Sequence, residues 1–223
     1  MNPLYAFRAE SVCFDHREGA ATTPLRVART LVTCEMAVAI FNAIGLQQEP
    51  PSTYHYVNVH NPACPLTFNE RLARWRCEPA RSDHPVSGIN WAGAQLICRH
   101  LGGRLPTVAE WEAFASNGDP QRIYPWGNSP PSFTLANFDE HFGGTTAVAT
   151  FPPSDLGLYD LAGNVGEWCQ DWFDADTPVP LERVVKGGAW SKDAHHLQIA
   201  VSRGKWARIG TTTIGVRPVW DET

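Results

Sequence analysis

Two carboxylates seven positions apart, Asp160 and Glu167, sit in the stretch of this sequence that carries the most chemistry. The run Phe151–Trp172 packs two prolines, three glycines, four acids and four aromatics together, with neither a helical nor a strand period. Proline fixes φ and glycine permits positive φ, so such a run follows one defined irregular path. Ordering it costs roughly 1–2 kcal/mol per residue, so something must hold it. Between the two acids lie Gly163 and Val165, whose carbonyls can turn toward the same point. Two carboxylates and two carbonyls form an all-oxygen set of the kind a hard cation such as Ca²⁺ takes. The alternative is that both acids are solvated loop residues and the aromatics alone form core. Spacing by itself favours that alternative.

A second group lies downstream, where Asp193 precedes the adjacent pair His195 and His196. Adjacent residues on a strand point to opposite faces, so regular backbone cannot aim both rings at one ion. One histidine can act as a ligand or base with Asp193 orienting it. Two exposed polar side chains on a surface loop is the weightier reading. Lys192, Arg203, Lys205 and Arg208 make the same segment locally basic, which suits an acidic ligand or a plain solvated face. Trp190 and Trp206 can wall such a site or serve as core.

The elements that must position these groups are short. Residues 4–14 and 25–32 read as early strands, and further short strands are expected near 147–151, 183–186, 197–201 and 214–219. Thr33 caps a helix over 33–45, and Asn90 caps one over 90–101 that ends at Gly102-Gly103. Thr107 and Glu110 have capping-box spacing for a third over 107–116, with Trp111 and Phe114 on its buried side. Residues 46–83 resist assignment, and His55 and His60 within them carry little weight as metal ligands. Few helices followed by irregular strands predict a single α+β domain. Length, 43% hydrophobic residues and only 18% charged residues support one globular unit with a sizeable core. A net charge of −5 argues against a broad nucleic-acid surface. No apolar run reaches membrane length and no signal-peptide pattern opens the chain, so the expected location is cytoplasmic. The six cysteines include no CxxC, which argues against zinc. Cys98 reads as core, and Cys64 and Cys77 pair only in an oxidising setting.

The ordered series His84-Pro-Val, Trp91, Arg104–Trp111, Tyr124-Pro-Trp-Gly127 and Ala136-Asn-Phe138 continues through Gly157–Trp168, Lys186-Gly-Gly-Ala-Trp190 and Gly215-Val-Arg217. Over about residues 25–219 this resembles the sulfatase-modifying-factor family, which contains the formylglycine-generating enzymes. The resemblance implies an irregular C-type-lectin-like fold across the single domain 1–223. It also implies calcium on Asp160, Gly163, Val165 and Glu167, with Asp160 where asparagine is usual, and the start of a first calcium site near Asn137 and Phe138.

Its chemistry departs from the family's. Formylglycine generation in the family uses two copper-binding cysteines after a Gly-Gly-Ser-Trp motif, and thiolates suit Cu(I) because both are soft. Here the motif serine matches Ala189, and the two cysteine positions match Lys192 and Leu197. A protonated lysine and a leucine offer copper no donor. Two functions remain. One is a pathway-specific oxidative maturation enzyme for a peptide or small natural product, with His195, His196 and Asp193 catalytic and an iron or copper ion as its catalytic metal. The other is a non-catalytic module that displays residues 191–213 for a peptide or small-molecule ligand, as in retroelement-diversified proteins. Trp190, Lys192, Arg203 and Trp206 are its expected contacts, with neither nucleic acid nor membrane as a partner.

Overall fold

Three helices form where the sequence supplies caps. In the computed structural model, which describes residues 7–8, 10–18, 21–47 and 55–222, α1 spans Cys34–Ala43, α2 Trp91–His100 and α3 Val108–Ser116. Thr33 accepts from the Met36 N–H and Asn90 from the Gly93 N–H, each satisfying an amide that the first turn leaves unpaired. Thr107 and Glu110 complete a reciprocal capping box. Gly102, at φ 72°, lets the chain leave α2 in a conformation that other residues adopt at a cost.

The strands pair into three small sheets. Antiparallel β1 (Val12–Glu18) and β2 (Ala21–Val27) join β9 (Val219–Asp221), so the two ends of the described chain meet in one sheet. A hairpin of β3 (Leu66–Asn69) and β4 (Arg74–Cys77) forms the second. The third has the order β7-β6-β5-β8, from β5 (Gly166–Trp172), β6 (Glu182–Lys186), β7 (Arg203–Trp206) and β8 (Ile214–Gly215). The predicted strand at 183–186 lies within β6, whereas 147–151 is turn and 197–201 is the end of a 3₁₀ turn and its exit. The 214–219 segment splits between β8 and β9, and residues 4–6 and 9 of the predicted 4–14 strand lie outside the described residues. Strands β3, β4, β5 and β7 form where no strand was expected. The last seven residues of the aperiodic acidic run are β5, whose first four residues are all buried, so no in–out alternation marks that part.

Two apolar clusters carry most of the core. One gathers α1, α2, Trp75, Trp168 and Trp220, and the other packs Trp111 and Phe114 of α3 on Leu158, Leu161 and Cys169. All six cysteines are free thiols, Cys64 and Cys77 included. Cys98 is fully buried as expected, and burial pushes the Cys34 thiol up to about 12, which keeps it protonated and inert. Among the described residues no helix is long and apolar enough to cross a membrane. Thr107→Ala should lower stability by about 1 kcal/mol in denaturant unfolding, while Thr107→Ser should retain most of it.

Candidate functional site

Glu167, on β5, and Arg217, just before β9, are both fully buried and bound to each other. Arg217 Nε reaches both carboxylate oxygens, at 3.0 and 3.1 Å, and Nη2 donates to Oε1 at 2.8 Å. Trp111 Nε1 donates to Oε2 at 2.8 Å. The rest of the guanidinium is equally engaged. Nη1 donates to the carbonyls of Ala28 (2.8 Å) and Arg29 (3.1 Å), and Nη2 to that of Tyr159 (2.6 Å). All five N–H groups of the fork are used, which is what a buried charge requires. Strand β2's exit, the 157–165 loop, β5 and α3 are thereby tied to one side chain.

The 157–165 loop is held by these and by its own turns. Gly157, Asp160, Gly163 and Asn164 all have positive φ, between 56° and 81°. A Cβ on Gly163 would stand 2.3 Å from the Asn137 carbonyl oxygen, so only glycine allows that approach. Buried Asn164 bridges Thr146 on both sides, its Oδ1 accepting from the N–H and its Nδ2 donating to the carbonyl. Asp160 is nearly buried, and its Oδ2 accepts from the Ala149 N–H at 2.8 Å. Desolvation raises its pKa, against the Ala149 amide, Arg217 and Asn164, which lower it.

These contacts bear on the calcium expected at Asp160, Gly163, Val165 and Glu167. Four N–H contacts fill the roughly four lone-pair positions of the Glu167 carboxylate, so it offers no open oxygen to a cation while Arg217 stays in place. That part of the donor set does not fit calcium. Asn137 differs: it is fully buried, its Nδ2 donates to the Gly144 carbonyl, and its Oδ1 has no partner, as a bound cation or water would require.

The histidine pair sits on a 3₁₀ turn, Ala194–Leu197, and not on a strand. Asp193 caps it and its Oδ1 lies 2.6 Å from His196 Nδ1. That contact, the largest cause, lowers the Asp193 pKa. The two rings meet edge to face at 5.6 Å. Among the described residues no group of three or more His, Cys, Asp or Glu side chains is placed to hold a metal ion, so the turn does not fit an iron or copper centre of that kind. Leu197 is fully buried, packed with Tyr124, Ala136, Phe138 and Ala162.

The other expected contacts scatter. Arg203 donates to the Gly188 carbonyl at 2.9 Å and is a strut of the sheet, its pKa lowered by desolvation. The Lys192 and Trp190 carbonyls accept from the Asp139 and Glu140 N–H groups. Trp206 is 55% exposed at the end of β7, paired with Glu182 of β6. Thr211 and Thr213 accept backbone hydrogen bonds from Gly88 and Gly166, which anchors that backbone, while Trp206 and Ile209 stay exposed.

An aromatic surface lies on the other side of the turn. Tyr124 and Trp126 stack at 5.2 Å, and Phe133 stacks on His141 at 3.8 Å and on Phe138 at 4.7 Å. Phe142 extends the row to Phe151. Phe133, His141 and Phe142 are exposed. Their spacing follows no period, so only the Tyr124–Gly127 turn of the row was legible before folding. The loop that carries it is clipped to 190–192 through the consecutive positive-φ residues Asp139 and Glu140.

Short capped helices, small sheets and long ordered loops around a buried ion pair define a mixed α+β domain of lectin-like type. The chain belongs to the family of sulfatase-modifying factor enzyme 1-like domains, which matches residues 18–222. It is 36% identical over 183 residues to serine/threonine-protein kinase Pkn1 of Chlamydia trachomatis, covering 76% of this chain and 28% of that protein. It is 38% identical over 126 residues to the formylglycine-generating enzyme of Mus musculus, covering 51% of this chain and 34% of the enzyme. The chain thus spans about a third or less of these relatives. The crystal structure of CarF superposes with a TM-score of 0.69 over 96% of this chain and 97% of its own, at 20% identity, which shows the shared fold.

Arg217→Met, which leaves Glu167 buried without its partner, should destabilise the protein by about 3–5 kcal/mol in denaturant unfolding. Adding Glu167→Met should recover much of that loss. Asp160 gives a pH test. A carboxyl whose pKa is raised by folding loses stability as pH climbs from the ordinary aspartate range through the raised value. Asp160→Asn should therefore raise the melting temperature at neutral pH, with or without chelator. A lowered melting temperature together with lost calcium dependence would instead place a cation on Asp160.

Proposed function

We propose that this chain is a ligand-recognition domain for a peptide or small molecule and does not generate formylglycine. The observation that carries this reading is Leu197. It stands where the resemblance puts the second copper-binding cysteine, and it is fully buried in an apolar cluster. A packed leucine supplies neither a thiolate nor room for a soft ion. Ala189, at the motif serine, is fully buried too. The neighbouring row of exposed rings supports recognition. Aromatic side chains bury large area at low entropic cost, and an exposed row is a feature of binding faces.

A second reading rests on the His196–Asp193 contact. A half-buried imidazole held through Nδ1 by a carboxylate keeps Nε2 free to accept a proton. Under that reading the domain is a pathway-specific oxidative maturation enzyme acting on a peptide or small natural product, with His196 as base and Asp193 as its positioning residue.

Incubation with a cysteine-bearing sulfatase peptide, with or without copper, should yield no aldehyde by mass spectrometry. On a random peptide array, Phe133→Ala and Phe142→Ala should each weaken binding by about fivefold or more, as truncated interface anchors do. His196→Ala should leave that binding intact. Aldehyde formation would refute the recognition reading, and a peptide or small-molecule oxidation lost in His196→Ala would establish the enzymatic one.

A further inference from the structure

A cleft of about 670 Å³ opens at the C-terminal end of α3, between β1 and the chain at Ile199–Ala200. Its size falls in the range of about 300–1,000 Å³ typical of small-molecule sites. We propose that it binds a small organic cation, a primary amine carrying an aliphatic segment, at a position separate from the aromatic face.

The helix supplies the first part of the argument. A helix C-terminus carries partial negative charge, and a lysine, arginine or histidine in the last turn usually answers it. The last turn of α3 has none. The cleft wall adds Asp15, Glu112 and Asp119 and one cation, Arg122. Arg122 is already committed, with Nη2 2.6 Å from Asp155 and Nη1 3.2 Å from the Pro125 carbonyl.

Glu112 shows that this wall takes an ammonium. From inside, its Oε1 holds Lys186 Nζ at 2.7 Å, and that lysine is fully buried. The Ile199 carbonyl (2.6 Å) and Ser202 Oγ (3.1 Å) take the other two N–H groups of Lys186, so none remains to reach the cleft. Oε2 of Glu112 has no hydrogen bond among the described residues, and the side chain is 39% exposed. One ammonium is therefore fixed behind the carboxylate, and a free acceptor lies on its outer side. Asp119 uses Oδ1 to accept from the Gln121 N–H, which holds the turn in place. Phe14, Ile199 and Ala200 give the cleft an apolar floor and side. Carboxylates beside apolar surface, with the only guanidinium among the described lining residues neutralised elsewhere, select a cation with an alkyl chain over an anion or a sugar.

The test uses the full chain and 1,5-diaminopentane at low ionic strength, followed by calorimetric titration and thermal melting. Saturable binding and a raised melting temperature are expected, with glutarate inert. Asp119→Asn keeps the turn acceptor and should weaken binding by roughly fivefold, the upper range for a solvent-accessible ion pair. Ala200→Trp should fill the cleft and abolish binding with the ligand-free melting temperature unchanged. Phe142→Ala should have no effect, which separates this site from the proposed recognition face. An equal thermal shift from KCl at matched ionic strength, or wild-type amine binding by Ala200→Trp, would overturn the proposal. If Ala200→Trp does not fold, Asp15→Asn/Asp119→Asn decides: lost binding supports the site and unchanged affinity refutes it.

Discussion

The fold depends on one buried charge pair. Arg217 enters the interior with all five N–H groups satisfied, by Glu167 and by three carbonyls from two separate stretches of chain. Taking two ions out of water costs several kcal/mol each, so the pair is stable only with this complete set of partners. Everything that supplies a partner is fixed as a consequence: the exit of β2, the turn at Tyr159, the start of β5, and α3 through Trp111. In a protein with short helices and small sheets, such a junction does what long regular elements do elsewhere. It gives irregular backbone one address.

That junction also separates scaffold from chemistry. Glu167 and Asp160 come from neighbouring positions of one loop and strand, yet they have different environments. Glu167 is matched by a cation of the chain itself, whereas Asp160 relies on an amide and an asparagine and bears the cost of burial. Lys186 repeats the first solution, buried against Glu112 and the Trp111 ring. Arg183 is a third case, lying between the rings of Trp91 and Trp172 at 3.7 and 3.4 Å. Tryptophan serves here as a wall for cations as well as core, which accounts for much of the abundance of indoles in a chain with few charges.

The positions that the resemblance aligns with the family's reacting residues are part of the packed architecture. Ala189 and Leu197 are packed as core, and the turn between them still presents Asp193, His195 and His196 to solvent. Fold and reaction are separable because the ion pair, the capped helices and the loop clasps do not involve those positions.

The sequence alone determined the local structure. Thr33, Asn90 and the Thr107–Glu110 pair announced three helices, because a cap is satisfied within four residues and needs no distant partner. The ordered motifs identified the family and the missing cysteines for the same reason: residue type is legible directly. Tertiary structure decided the rest. The first four residues of β5 are all buried, so periodicity could not reveal it, and the hairpin of β3 and β4 gave no alternation in a polar, proline-bearing stretch. The partner of Glu167 lies fifty positions away at Arg217, so no local spacing could reveal it. His195 and His196 were adjacent on the page, but only the 3₁₀ turn set their relation to Asp193. Trp206 and Arg203, close to them in sequence, belong to a strand whose direction is fixed by β6. The aromatic row and the cleft beside α3 are assembled from segments that meet only after folding, and no local pattern encodes such a meeting.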